Sequence, residues 1–74
     1  MLTFELTKDK DEIEIHGDQE GLSRLVGIIS RIIKSSGHDH LMTPAWGGSE
    51  LTSEKQGQTN TLVNKVTVRN WSKR

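Results

Sequence analysis

His38-Asp39-His40 is the sharpest place in the sequence to look for chemistry. On a strand, side chains two apart project to the same side, so both imidazoles can reach one metal ion, with a third ligand required from His16 or a carboxylate. No convincing third ligand accompanies the pair, so His38 and His40 are expected to serve the fold or a partner, with metal binding as the alternative and no cofactor expected. His38 also falls near the negative end of the helix expected before it, where a protonated imidazole is favoured. A second constellation is Glu5, Glu12, Glu14 and His16, which alternation places on one strand face. Clustered carboxylates can raise one another's pKa and support acid–base catalysis. On an open sheet face, solvent screens that coupling, so these residues are expected to meet a basic surface of another protein. Trp46 and Trp71 complete the set, in a chain with one phenylalanine and no tyrosine. Trp46 lies between Pro44 and Gly47-Gly48, where it either plugs the core edge or projects as an anchor. Trp71 shares the register of Arg69, and tryptophan and arginine are enriched at interface hot spots.

The remaining chemistry is poor. Gly47-Gly48-Ser49 lacks the strand–loop–helix setting and following lysine of a phosphate loop. The serines have no evident base, and there is no cysteine to act as nucleophile, thiolate ligand or disulfide. The chain is therefore expected to bind a partner and not to be an enzyme.

The elements that position these residues follow from periodicity. Leu2-Thr3-Phe4-Glu5-Leu6-Thr7 and Glu12-Ile13-Glu14-Ile15-His16 alternate apolar and polar around the turn Lys8-Asp9-Lys10-Asp11, predicting a hairpin over 2–16. Leu2, Phe4, Leu6, Ile13 and Ile15 are expected on its buried face. Gly17-Asp18 ends the strand, and Asp18 can cap a helix over 18–36 whose apolar face is read as Leu22, Leu25, Val26, Ile29, Ile32 and Ile33. Gly27 inside that helix costs about 1 kcal/mol against alanine, which a close approach to the sheet would explain. Gly37 is a natural stop after Ser35-Ser36. A short strand over 38–42, a long loop over 43–58 with Pro44 and three glycines, and a strand over 59–71 follow. In that last strand Leu62, Val66 and Val68 point inward. The fold class is α+β: a ββαββ order, one amphipathic helix packed on one face of a small antiparallel sheet, in a single domain spanning 1–74.

A chain of 74 residues buries a thin core, so a homodimer, or a monomer stabilised by its partner, is expected. Net charge is zero, yet residues 1–20 hold seven acids against two lysines, while residues 55–74 hold Lys55, Lys65, Arg69, Lys73 and Arg74 and no acid. Side-by-side strands would compensate these charges; an acidic patch facing a basic partner is the functional alternative. No basic stripe interleaved with aromatics points to nucleic acid. No apolar stretch approaches the about 20 residues of a membrane span, and the N-terminus lacks the pattern of a signal peptide, so a cytoplasmic location is expected.

Three segments carry a family resemblance. Gly17-Asp18-Gln19-Glu20-Gly21-Leu22-Ser23-Arg24-Leu25 opening a helix, then His38-Asp39-His40-Leu41, then Thr43-Pro44-Ala45-Trp46-Gly47-Gly48, together resemble the immunity protein 32 family of bacterial polymorphic-toxin systems. The likeness runs over roughly residues 12–71. It implies a protein that binds a cognate toxin domain and blocks its active site or substrate path. It also marks His38, His40 and Trp46 as family-motif positions, without saying whether they face the toxin or hold the fold.

Overall fold

The computed structural model of the chain describes residues 1–35 and 37–72. Ser36, expected to end the helix, and Lys73 and Arg74, two of the C-terminal basic residues, lie outside the described residues. Strands β1 (Leu2–Leu6) and β2 (Ile13–Gly17) form the expected antiparallel hairpin. Its turn closes with the Thr7 N–H donating to the Glu12 carbonyl, and Lys10 takes a left-handed backbone, φ 62°. Directly opposed residues share a face. Phe4 with Ile15 and Leu6 with Ile13 therefore lie on the helix side, while Thr3 with His16 and Glu5 with Glu14 lie on the outer side.

Helix α1 (Gln19–Ser35) starts as the sequence predicts. The Asp18 carboxylate accepts from the Gly21 N–H and from the Met1 ammonium, both at 2.8 Å. Those bonds, the ammonium foremost, hold its pKa below the usual carboxylate value. A Cβ at position 21 would lie 1.8 Å from the Met1 carbonyl oxygen, so only glycine lets the first turn pass this close to the start of β1. At the other end, the Asn70 amide donates to the Ile32 and Ile33 carbonyls at 3.0 and 3.2 Å, satisfying groups a helix terminus leaves open.

The C-terminal half differs from expectation in its pairing. Strand β3 (His38–Met42) leads to a 3-10 turn at Pro44–Trp46, and the strand expected over 59–71 is two strands, β4 (Thr61–Leu62) and β5 (Lys65–Arg69). β4 pairs with β1, whereas β5 pairs with β3, giving one sheet of order β2-β1-β4 and a second of β3 and β5. The exchange happens at Val63-Asn64. The Val63 N–H donates to Phe4 at 2.9 Å, and Asn64 then accepts the Thr43 N–H at 3.0 Å on its carbonyl and the Thr43 hydroxyl at 2.7 Å on its side-chain oxygen. The α+β class holds, with one helix packed on small antiparallel sheets; the ββαββ order gains a strand, and the single sheet divides in two. The basic strand thus lies apart from the acidic hairpin, and none of the ion pairs found among the described residues joins them.

Leu2, Phe4, Ile28, Ile32, Leu41 and Leu51 form the core, with Leu25, Val63, Val66 and Val68 packed against it. Six residues expected inside are exposed instead: Ile13, Ile15, Leu22, Val26, Ile29 and Ile33. The helix is apolar around more than one face. The line that reaches the sheets is Gly21, Leu25, Ile28 and Ile32, and the line of Leu22, Val26, Ile29 and Ile33 is turned about 100° away from it. Gly27 has nothing within 4 Å of where a Cβ would stand, so no close approach explains it.

Candidate partner-binding surface

The outer face of the hairpin is closed. The loop before β4 folds across it, anchored by the Thr52 N–H on the Leu2 carbonyl at 2.8 Å and the Leu2 N–H on the Thr52 hydroxyl at 3.0 Å. Glu5, expected on an open face, is 0% exposed beneath this loop. Its carboxylate accepts from the Thr3 hydroxyl, the Gln56 N–H at 2.8 Å, the Gly57 N–H at 2.9 Å and the Asn60 amide at 3.0 Å. Burial alone would raise its pKa, but these four donors outweigh burial and bring it down to about 2. A Cβ at position 57 would stand 2.1 Å from the Asn60 amide nitrogen, so a side chain there would push that amide off the Glu5 carboxylate. The same Asn60 amide reaches Glu14 at 2.9 Å, and the His16 ring nitrogen lies 2.9 Å from Glu14 and 3.8 Å from Glu5. Hydrogen bonds from His16 first, then Asn60, hold Glu14 below the usual carboxylate range. A carboxylate with every lone pair occupied and no solvent contact holds a loop in place; it does not exchange protons with a substrate. Of the expected acidic patch, Glu5 is buried, Glu14 is intermediate and only Glu12 is exposed.

The outer face of β3 and β5 is open. Register places His38 opposite Arg69, His40 opposite Thr67 and Met42 opposite Lys65 on that side, with Asp39–Val68 and Leu41–Val66 turned toward the helix. None of the six outer residues is acidic. The His38 and His40 rings meet edge to face, centroids 5.1 Å apart, and the His40 Nδ1 is 2.9 Å from the Thr67 hydroxyl. Asp39, between them in sequence, points the other way and pairs with Arg31 at 2.9 Å; that guanidinium holds its pKa below the usual value. Among the described residues, no three His, Cys, Asp or Glu side chains gather as a metal ion needs. Trp46, in the turn after β3, is 57% exposed, and Trp71, just past β5, is 63% exposed. They stand beyond opposite ends of this two-stranded sheet, and neither plugs the core. The structure therefore groups His38, His40 and Arg69 between the two tryptophans and separates them from Glu5, Glu14 and His16.

The segment carrying the helix, both histidines, the tryptophan turn and the start of β5 also matches a known family. The model of the family described as Immunity protein 32 matches residues 12–66. The chain belongs to the immunity protein 32 family. No curated protein and no solved structure matches it. The matched range takes in Glu14 and His16 of the closed face and His38, His40, Met42 and Lys65 of the open one, while Thr3, Glu5, Thr67 and Arg69 lie outside it.

A third surface was not anticipated. Ile13, Ile15, Leu22, Val26, Ile29 and Ile33 leave a large apolar area in solvent, with Val26 and Ile33 64% and 65% exposed. Fully burying one such side chain is worth about 1.5–3 kcal/mol, so what these residues leave uncovered is worth on the order of 1 kcal/mol each. Single exposed apolar residues are ordinary on a protein surface, whereas six on one helix line and the neighbouring strand are not. Sequence reasoning also missed three asparagines that hold this family member together. Asn60 clamps Glu5 and Glu14, Asn64 holds Thr43, and Asn70 closes the helix end. Their signal in sequence was only that polar amides interrupt the last strand pattern at 60, 64 and 70.

Among the described residues, no helix is long and apolar enough to cross a membrane.

Proposed function

We propose that this immunity protein neutralises a cognate bacterial toxin by binding it and covering its active site or substrate path, without catalysis of its own, in the cytoplasm. The observation that carries the reading is the match to the immunity protein 32 family over residues 12–66. The open face of β3 and β5 supports it as the contact surface. It presents Lys65, Arg69 and two histidines without a carboxylate, between two exposed tryptophans that suit anchoring roles. The chemistry that recognises such a face is an acidic patch with apolar pockets on the toxin. Glu12 and the half-exposed Glu14 and His16 belong to the rim of the other face, where exposed charges tune association more than affinity.

Coexpression with the toxin encoded beside the gene tests the proposal. Cells carrying both genes should survive induction that kills cells carrying the toxin alone, and an Arg69→Glu variant should protect less well while folding normally. Equal killing with and without the chain would remove the reading.

A further inference from the structure

The exposed line on α1 is self-complementary. Leu22, Val26, Ile29 and Ile33 follow a 4-3-4 spacing, which is the alternation of a and d positions along a coiled-coil seam. That spacing is a palindrome about the midpoint between Gly27 and Ile28. A two-fold axis through this midpoint, with a second α1 running antiparallel, sets Leu22 against Ile33 of the other copy and Val26 against its Ile29. Such an isologous contact needs one patch to match itself, and this spacing does so without any slip in register. The flank of the seam away from the core is Ser23 and Ser30, exposed and uncharged, so no like charges are brought together at the axis.

The seam is extended by the hairpin. Ile13 and Ile15 lie on the helix side of the sheet, across from Leu6 and Phe4, and are half exposed because α1 does not cover them. α1 packs beside β2, with Leu22 against Gly17, so the open isoleucines border the same apolar strip. A second helix lying along α1 can cover both. Two heptads alone make a short coiled coil, and Ile13 and Ile15, 54% and 50% exposed, add apolar surface toward what a stable dimer needs.

We infer that the chain forms a two-fold homodimer through the Leu22, Val26, Ile29 and Ile33 face of α1, the partner being a second copy in antiparallel orientation. The faces of β3 and β5 remain outside this contact, so each copy keeps its own toxin surface.

Sedimentation equilibrium of the full chain from micromolar to millimolar concentration tests the inference. The wild type should be dimeric in the upper part of that range. Val26→Glu should weaken the dimer at least about 100-fold, because it buries a carboxylate without a partner. Val26 is exposed in the single chain, so this variant should keep its circular dichroism and its protection against the toxin. The chain lacks cysteine, which allows a second, geometric readout. A mixture of Leu22→Cys and Ile33→Cys proteins should form a mixed disulfide. Leu22→Cys alone should not cross-link, since two copies of position 22 would be separated by about 16 Å along the axis, beyond disulfide reach. A wild-type monomer at every concentration overturns the inference, and so does ready self-cross-linking of Leu22→Cys. A monomeric wild type whose Val26→Glu variant loses protection assigns the strip to the toxin, and overturns it while leaving the immunity function intact.

Discussion

The outer faces of the two sheets have opposite uses for charge. Behind the hairpin, Glu5 is sealed under the loop before β4 and carries four donors. Behind β3 and β5, Arg69 and Lys65 stand exposed beside two histidines. A charge that is buried and fully bonded is expensive to remove and changes little with partners, whereas an exposed one contributes little to folding and is free to meet another molecule. The hairpin face therefore belongs to stability, and we propose the β3–β5 face for recognition.

Substitutions can break that division, and the largest effect should come from Glu5. Glu5→Ala leaves the Gln56 and Gly57 N–H groups and the Asn60 amide buried without an acceptor, and should cost about 3–5 kcal/mol in a denaturant titration. In a chain this small that loss should abolish folding at physiological temperature.

Acid should reproduce much of the effect. Glu5 binds its proton near 4.5 when unfolded and near 2 when folded, so its contribution is complete above about 4.5 and is lost as pH falls through 2. The contribution is on the order of 3 kcal/mol, and Glu5→Gln should flatten that part of the stability–pH curve. A smaller loss of about 1–2 kcal/mol is expected for Asn70→Ala, which frees the last carbonyls of α1; thermal melts would show it. Gly27→Ala should move the other way, stabilising by up to about 1 kcal/mol, because the new methyl group meets nothing. On the recognition face, Lys65→Glu and Arg69→Glu should each leave stability within about 0.5 kcal/mol of wild type.

Local signals in the sequence located the elements well. Alternation marked β1 and β2, and Asp18 caps α1 as its position suggested. The helix phase was misjudged because Ile28 and Ile29 are equally apolar, so composition could not show which of two adjacent lines faces the sheets. Ile28 does, and Ile29 with Leu22, Val26 and Ile33 does not. The pairing was illegible for a different reason. Which strand accepts β4 and which accepts β5 is set by Asn64 and Thr43, residues 21 positions apart. The closed face was hidden likewise, since Glu5 meets Gln56, Gly57 and Asn60 from 51, 52 and 55 positions away. The pairing of β3 with β5 brings His38 and His40 beside Arg69, a grouping the sequence does not show, while Glu5 stays apart because a loop covers it.

The division of labour between the faces is tested most directly by titrating the cognate toxin domain into wild type and Arg69→Glu by calorimetry, with the melting temperature of each recorded beside it. Melting should be unchanged and affinity weaker by about ten-fold or more, the range of a contributing interface residue. Equal affinity for both proteins would contradict the placement of the toxin on the β3–β5 face.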